Sequence, residues 1–202
     1  MSIIYPWYKL GYVIPHLATD MDAYQFYRIA PEGMMLVTPC LDFKGHSLEA
    51  AEAVLPTFWE RAELLAMKKV DRIALSGVPV ASILGRPRML AILAEARSRT
   101  GLPCDTDLEA HIATLQHLGA TRVALASRFP ENTNTKLIDY LAAAGIEVIA
   151  CRARSMSLEV MKATLPADGH LLALELGRQV LRDAPDAQAL LMPGGLWFAI
   201  HA

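Results

Sequence analysis

The sequence lacks the patterns that would place it in several common functional classes. Its three cysteines, Cys40, Cys104 and Cys151, are widely spaced and form neither a zinc-ligand pattern nor a disulfide framework. It has no Gly-x-Gly-x-x-Gly after a strand and no Walker sequence, so nothing indicates a nucleotide. Basic runs are absent, and the apolar runs are broken well short of a membrane span. We therefore expect no cofactor, no metal, no nucleic acid and no membrane partner.

The composition fits a cytoplasmic globular protein. The chain has 202 residues and a formal net charge of −2. Its hydrophobic content of 53% is enough for one sizeable core or two small lobes. The first residues lack the basic head and long apolar stretch of a signal peptide, and three unpaired cysteines fit a reducing compartment. We therefore expect a cytoplasmic location.

Short apolar strands alternate with amphipathic helices along the chain. This alternation predicts an α/β protein with parallel sheets, right-handed crossovers and helices on both faces. Apolar residues at a spacing of three and four predict one helix over residues 48–65. Thr106 and Glu109 form a capping-box pattern at the start of another helix. The predicted strands are residues 10–14, 34–38, 72–76, 122–126, 147–150 and 187–192.

Two short segments of the chain, called phrases below, have similar sequences, and we refer to this similarity as the echo. When Asp71-Arg-Ile-Ala-Leu-Ser-Gly-Val-Pro-Val80 is laid over the phrase that begins at Asp186, Val78 falls on Pro193. The stretch Thr121-Arg-Val-Ala-Leu-Ala126 repeats the strand pattern again. The echo predicts two related halves, although buried parallel strands resemble one another in any case. Both matched positions lie just past a strand's carboxyl end, where open α/β sheets bind ligands.

Several stretches of the chain match segments of one known protein group, in the same order. They are Gly101-Leu-Pro-Cys104, Leu118-Gly-Ala-Thr-Arg-Val-Ala-Leu-Ala126, Asn132-Thr-Asn134, Ala150-Cys-Arg152 and Met192-Pro-Gly-Gly-Leu196. In these stretches the sequence resembles the aspartate/glutamate racemase superfamily, and within it arylmalonate decarboxylase and maleate cis–trans isomerase. The opening Gly11-Tyr-Val-Ile-Pro15, followed by Thr19-Asp-Met-Asp22, resembles the first strand and loop of the isomerases.

The resemblance implies two pseudo-symmetric α/β lobes, each a parallel sheet flanked by helices, with a small carboxylate bound between them. We expect the first lobe over residues 1–104 and the second over residues 105–202, with the second incomplete at its C-terminus and a homodimer as one consequence. In the family, one or two cysteines at strand ends move a proton at the carbon next to the carboxylate, a task that suits a thiolate.

The sequence departs from the family at those cysteine positions. The second-half position matches Pro193, and the first-half position matches Val78, or Gly77 if the gap is placed differently. Cys104 and Cys151 are expected to be small buried hydrophobes. Cys40 follows a strand end and could contact a ligand.

The resemblance also implies a carboxylate-binding group. Ser127 matches a family hydroxyl and Phe129 a family tyrosine, and the turn precedes a helix whose N-terminus favours an anion. Alternatively, Ser127 and Asn132 only cap the turn and the helix. The expected substrate-binding residues are Gly77, Ser127, Phe129, Asn134, Gly194 and Gly195.

His16 lies two residues after the first predicted strand and is the titratable side chain best placed to replace a thiol. The alternative is that His16 is a loop histidine that faces solvent. Arg86 and Arg88 could offer a fork to a carboxylate or be solvated. Three acidic residues at a helix start are expected only to stabilise the helix through its dipole: Asp105, Asp107 and Glu109.

The sequence thus predicts a superfamily enzyme of isomerase, racemase or decarboxylase type. It would act on a small carboxylate by atypical chemistry, because both cysteine positions are substituted. The alternative is a catalytically silent protein that binds a small carboxylate.

Overall fold

The computed structural model describes residues 5–15, 20–45 and 47–194. The chain divides into two compact units, Met1–Glu109 and Ala110–Ala202. Each unit is built on its own parallel sheet flanked by helices, which confirms the predicted fold class. The division falls inside a helix, whereas the sequence analysis placed the boundary after Cys104.

The first unit contains a four-stranded parallel sheet in the order β2-β1-β3-β4. Leu10 of β1 pairs with Leu36 of β2 and with Arg72 of β3. The fourth strand was not predicted, because three residues are too few to show a period of two. The strands are β1 Tyr8–Val13, β2 Met34–Val37, β3 Arg72–Leu75 and β4 Cys104–Thr106.

Helices of the first unit follow each strand. The single helix predicted over residues 48–65 is wrong: it is two helices that meet at Val54, because Pro56 has no backbone N–H to continue the first one. Helix α3 packs closely on β1, where a Cβ on Gly11 would lie 2.9 Å from Leu65 Cδ1. The helices are α1 Asp20–Ile29, α2 Leu48–Ala53, α3 Leu55–Met67, α4 Val78–Leu84 and α5 Arg86–Thr100. A further helix, α6 Asp107–His117, begins in the first unit and ends in the second.

The second unit contains a three-stranded parallel sheet in the order β6-β5-β7 over its described residues. Buried alanines of β5 pack against helix α9 and form a core with its apolar face. The elements are β5 Arg122–Ser127, α7 Glu131–Ala142, β6 Glu147–Ala153, α8 Leu158–Ala163, α9 Pro166–Asp183 and β7 Ala189–Leu191.

The two sheets share a topology. β1 pairs with β2 on one side and β3 on the other, and β5 pairs with β6 and β7 in the same way. β3 and β7 therefore occupy equivalent positions, in agreement with the echo between the Asp71 and Asp186 phrases. The Thr121 phrase forms β5, which is equivalent to β1, so its likeness to the Asp71 phrase reflects strand burial alone.

Candidate functional site

In the first unit, a group of polar side chains surrounds the β3–α4 turn, residues 76–78. Asp107 opens α6, and its Oδ2 accepts a hydrogen bond from Gly77 N at 2.8 Å. Its Oδ1 accepts from Leu108 N at 2.8 Å, and the Val78 amide also hydrogen-bonds to this carboxylate. Thus a carboxylate supplied by the chain itself occupies the N-terminus of α4.

Burial makes this carboxylate easier to protonate. Desolvation raises the pKa of Asp107 to about 6, although the amide hydrogen bonds act in the opposite direction. Desolvation, followed by the charge of Asp107, likewise raises the pKa of Asp22 to about 6. A carboxyl with a pKa near neutrality can both give and accept a proton at physiological pH.

Tyr12 joins this group through β1. Its hydroxyl is hydrogen-bonded to the Ser76 side chain. Burial, followed by the charges of Asp107 and Asp22, raises the pKa of Tyr12, so the phenol stays protonated. The sequence analysis assigned Asp107 a helix-start role only, since the aspartates become neighbours only when three strand ends meet.

The β3–α4 turn cannot carry a larger side chain at Gly77. Gly77 has φ +107°, and a Cβ there would lie 3.0 Å from Pro15 Cγ. Val78, the other predicted cysteine position, is 1% exposed in the first turn of α4. A thiol at Gly77 would require both a strained backbone and a shift of Pro15.

In the second unit, the β5–α7 turn, residues 127–131, contains two buried polar residues, Ser127 and Arg128. Ser127 Oγ accepts from Phe129 N at 3.0 Å, and Asn134 Nδ2 donates to Phe129 O at 2.9 Å. Asn132 Oδ1 accepts from Thr133 N at 2.9 Å. Ser127 and Asn132 therefore do stabilise the turn and the helix start, while a ligand role for Ser127, Phe129 and Asn134 stays a prediction.

Arg128 lies inside this turn and was missed by the sequence analysis. It is 2% exposed, and burial lowers its pKa to about 10, so it remains charged at neutral pH. α7 begins at Glu131, after Phe129 and Pro130, and its N-cap residue Pro130 has no side-chain oxygen. A buried cation beside the positive end of a helix favours an anion. The signal in the sequence was an arginine directly after an apolar strand.

Pro193 and Gly194 follow β7 and lie at the same edge of the sheet as Ser127, because β5 and β7 are parallel neighbours. Gly194 has φ +105°, close to the +107° of Gly77. An overlay on these two glycines matches Pro193 to Ser76 instead of Val78. The predicted site residues His16 and Gly195 lie outside the described residues.

The three cysteines differ in environment. Cys104 is buried in β4, and burial raises the pKa of its thiol. The expectation that Cys151 is buried was wrong: it is exposed, because β6 is an edge strand. Cys40 is half-buried, its Sγ accepts from Asp42 N at 3.4 Å, and it lines a cavity of about 740 Å³ with Arg61.

The two arginine forks expected near the first-unit turn are engaged by internal carboxylates. Arg86 binds Glu109 in a bidentate pair at 2.9 and 3.1 Å, and Arg88 binds Glu52. In the parts of the chain that the structure describes, His, Cys, Asp and Glu form no group suited to a metal ion. No helix within the described ranges is both long and apolar enough to span a membrane.

Solved structures share this fold. A liganded glycine-to-cysteine, cysteine-to-serine double variant of arylmalonate decarboxylase is 24% identical, with a TM-score of 0.81 over 94% of this chain and 78% of that one. The maleate isomerase of Pseudomonas putida S16, as a cysteine-to-alanine variant with maleate, is 21% identical, with a TM-score of 0.76 over 94% and 78%. The maleate cis–trans isomerase of Nocardia farcinica, bound to Tris, is 17% identical, with a TM-score of 0.77 over 93% and 80%.

Sequence comparison gives the family. The arylmalonate decarboxylase of Bordetella bronchiseptica is 29% identical over 188 residues, which is 93% of this chain and 76% of that protein. The family model described as arylmalonate decarboxylase matches residues 10–200. The chain therefore belongs to the arylmalonate decarboxylase family.

Proposed function

We propose that this protein is a cofactor-independent enzyme that moves a proton on a small carboxylate, without a cysteine at the family's thiol positions. In the second unit, the β5–α7 turn is our candidate for carboxylate binding. In the first unit, Asp107 is our candidate for the group that gives and accepts the proton. The reaction is of the decarboxylase or isomerase type named for its relatives.

The observation that carries the carboxylate-binding part is the buried charge of Arg128. Arg128 is 2% exposed, and its guanidinium keeps its charge at neutral pH. Its guanidinium presents a fork that fits a carboxylate, and the first amides of α7 point out of the same helix end. Both features favour a small anion at this turn.

Three observations support Asp107 as the proton-transfer group. Its carboxylate is hydrogen-bonded to the amides of Gly77 and Val78, the two residues that match the first-half thiol position in the alternative alignments. Gly77 itself cannot hold a thiol without strain. Burial raises the pKa of Asp107 to about 6, so it is poised between acid and base.

The alternative function is binding without chemistry. It is favoured by the same amide hydrogen bonds, because a carboxylate that is fully held by the backbone could simply fix the β3–α4 turn. The two functions differ in one measurable respect, which is proton exchange at the carbon next to the bound carboxylate.

We would incubate the pure protein with phenylmalonate, maleate and aspartate in D₂O and follow deuterium incorporation and CO₂ release by NMR. We expect turnover on at least one of them, and Asp107→Asn should lower kcat by about a hundredfold or more with little change in Kd. The matched control is Asp105→Asn, since Asp105 is a nearby carboxylate that pairs with Arg72. Binding without exchange would instead support the silent binder, and the absence of binding would refute both.

A further inference from the structure

The start of α7 contains two buried polar groups that the fold leaves unsatisfied. Thr133 and Asn134 are 1% and 6% exposed. Among the residues that the structure describes, neither Thr133 Oγ1 nor Asn134 Oδ1 has a hydrogen-bond partner. Buried polar atoms are almost always paired, so two adjacent exceptions at one helix end require an explanation.

The local hydrogen bonds explain why both atoms are left over. A threonine in a helix usually bonds the carbonyl four residues back, as Thr135 does with Glu131 O at 3.0 Å. For Thr133 that carbonyl is Phe129 O, which receives no hydrogen bond from Thr133 Oγ1 and accepts from Asn134 Nδ2 at 2.9 Å. This same bond orients the Asn134 amide, so its Oδ1 is left as an acceptor in need of a donor.

A plain carboxylate cannot satisfy Asn134 Oδ1. An ionised carboxylate has only acceptor atoms, and an amide oxygen accepts as well. Both atoms are buried, so bulk solvent does not supply that donor. The ligand must therefore carry a hydrogen-bond donor in addition to its carboxylate.

The charge of the site selects the kind of donor. An ammonium group would be placed beside the charged Arg128 and the positive end of α7, and both disfavour a cation. A hydroxyl group is neutral, can donate to Asn134 Oδ1, and can exchange a hydrogen bond with Thr133 Oγ1.

Resting on the proposed function, we infer that the carboxylate bound at the β5–α7 turn is a hydroxycarboxylate, recognised through its hydroxyl by Asn134 and Thr133. This assigns the two residues to specificity, separately from the anion recognition provided by Arg128 and the helix end. A site built to bond a hydroxyl discriminates strongly against the analogue that lacks it, because its own polar groups are then left unpaired.

The test measures the binding of two matched pairs to the full chain by calorimetry: malate against succinate, and mandelate against phenylacetate. Each pair differs by one hydroxyl. We expect the hydroxylated member of at least one pair to bind about tenfold more tightly or better. Thr133→Val keeps the shape and removes the hydroxyl, so this ratio should fall severalfold. Thr135→Val, in which an exposed hydroxyl is lost from the same helix, should leave the ratio unchanged.

The outcomes separate this inference from the proposed function. Equal binding of both members of each pair, or a ratio insensitive to Thr133→Val, overturns the hydroxyl assignment while carboxylate binding stands. A preference for aspartate over malate would overturn the argument from charge. If none of the four acids binds while phenylmalonate, maleate or aspartate does, the hydroxyl assignment is overturned and the proposed function stands. If none of these compounds binds, the proposed function itself fails.

Discussion

The β3–α4 turn of the first unit and the β5–α7 turn of the second unit both lead into a helix N-terminus, but they place charges of opposite sign next to it. Both follow an interior strand of a parallel sheet and lead into a helix, whose first amides have no hydrogen-bond partner within the helix. At the first turn, Asp107 supplies an internal anion to those amides. At the second, the N-cap is a proline and the buried charge beside it is a cation, Arg128.

Under the proposed function, this difference gives the two turns separate roles. Asp107 fills the first helix end from within and serves in proton transfer. The second helix end, next to the buried Arg128, keeps its affinity for an external anion. The next three predictions concern two substitutions and a change of pH, and each of them disturbs one turn.

The largest effect is expected at Gly77. Gly77→Ala should lower the free energy of unfolding by about 2–4 kcal/mol, because a Cβ both strains the positive φ and contacts Pro15. Gly85→Ala is the matched control: its φ is +77°, and no described atom outside its neighbours lies within 4 Å of the added Cβ. It should cost only about 1–2 kcal/mol. Urea unfolding measures both, and equal losses would show that Pro15 is not in close contact.

Arg128→Met tests the second turn. It removes the buried charge with a side chain that can fill the same space, so carboxylate affinity should fall by about 10–100-fold. Stability should change little, since replacing a buried charge with an apolar side chain of similar volume is often neutral. Arg122→Met, at an exposed arginine paired with Glu147, is the control. Calorimetric titration with the best-bound acid decides the matter, and unchanged affinity would remove Arg128 from the site.

The smallest effect is a dependence of stability on pH. The pKa of Asp107 and of Asp22 is raised from 3.8 to about 6 in the folded state. Between about pH 4 and 6 the folded state therefore binds more protons than the unfolded state, and these two groups make stability fall as pH rises. Asp107→Asn should gain stability relative to the wild-type protein over this window. Urea titrations at pH 4.5, 5.5 and 7 measure the difference, and a constant difference would contradict the raised pKa.

The fold could be predicted well because its signals are local. Strand–helix alternation gave six of the seven described strands, and glycines after strands and helices marked turns whose φ is positive, including Gly77 and Gly101. The misses are also local in origin. Strand β4 has three residues, and Pro56 splits a continuous apolar stripe into two helices.

The candidate site was only partly predictable. The family resemblance pointed to the turns that contain Gly77, Ser127 and Gly194. The residues alone predicted only a helix-start role for Asp107 and no role for Arg128. An aspartate at a helix start and an arginine after a strand are ordinary surface features in most proteins. Their burial depends on neighbouring strands far away in the sequence, so no local pattern reveals it.

By itself, the sequence determined the fold class, the family and the location of the strand-end turns, because periodicity, glycines and family motifs are written in consecutive residues. Only the tertiary structure decided the chemistry of those turns. It brought Asp107 onto the Gly77 amide across 30 residues and closed Arg128 away from water. Desolvation and long-range neighbours set the charge and pKa of a side chain, and both exist only in the folded protein.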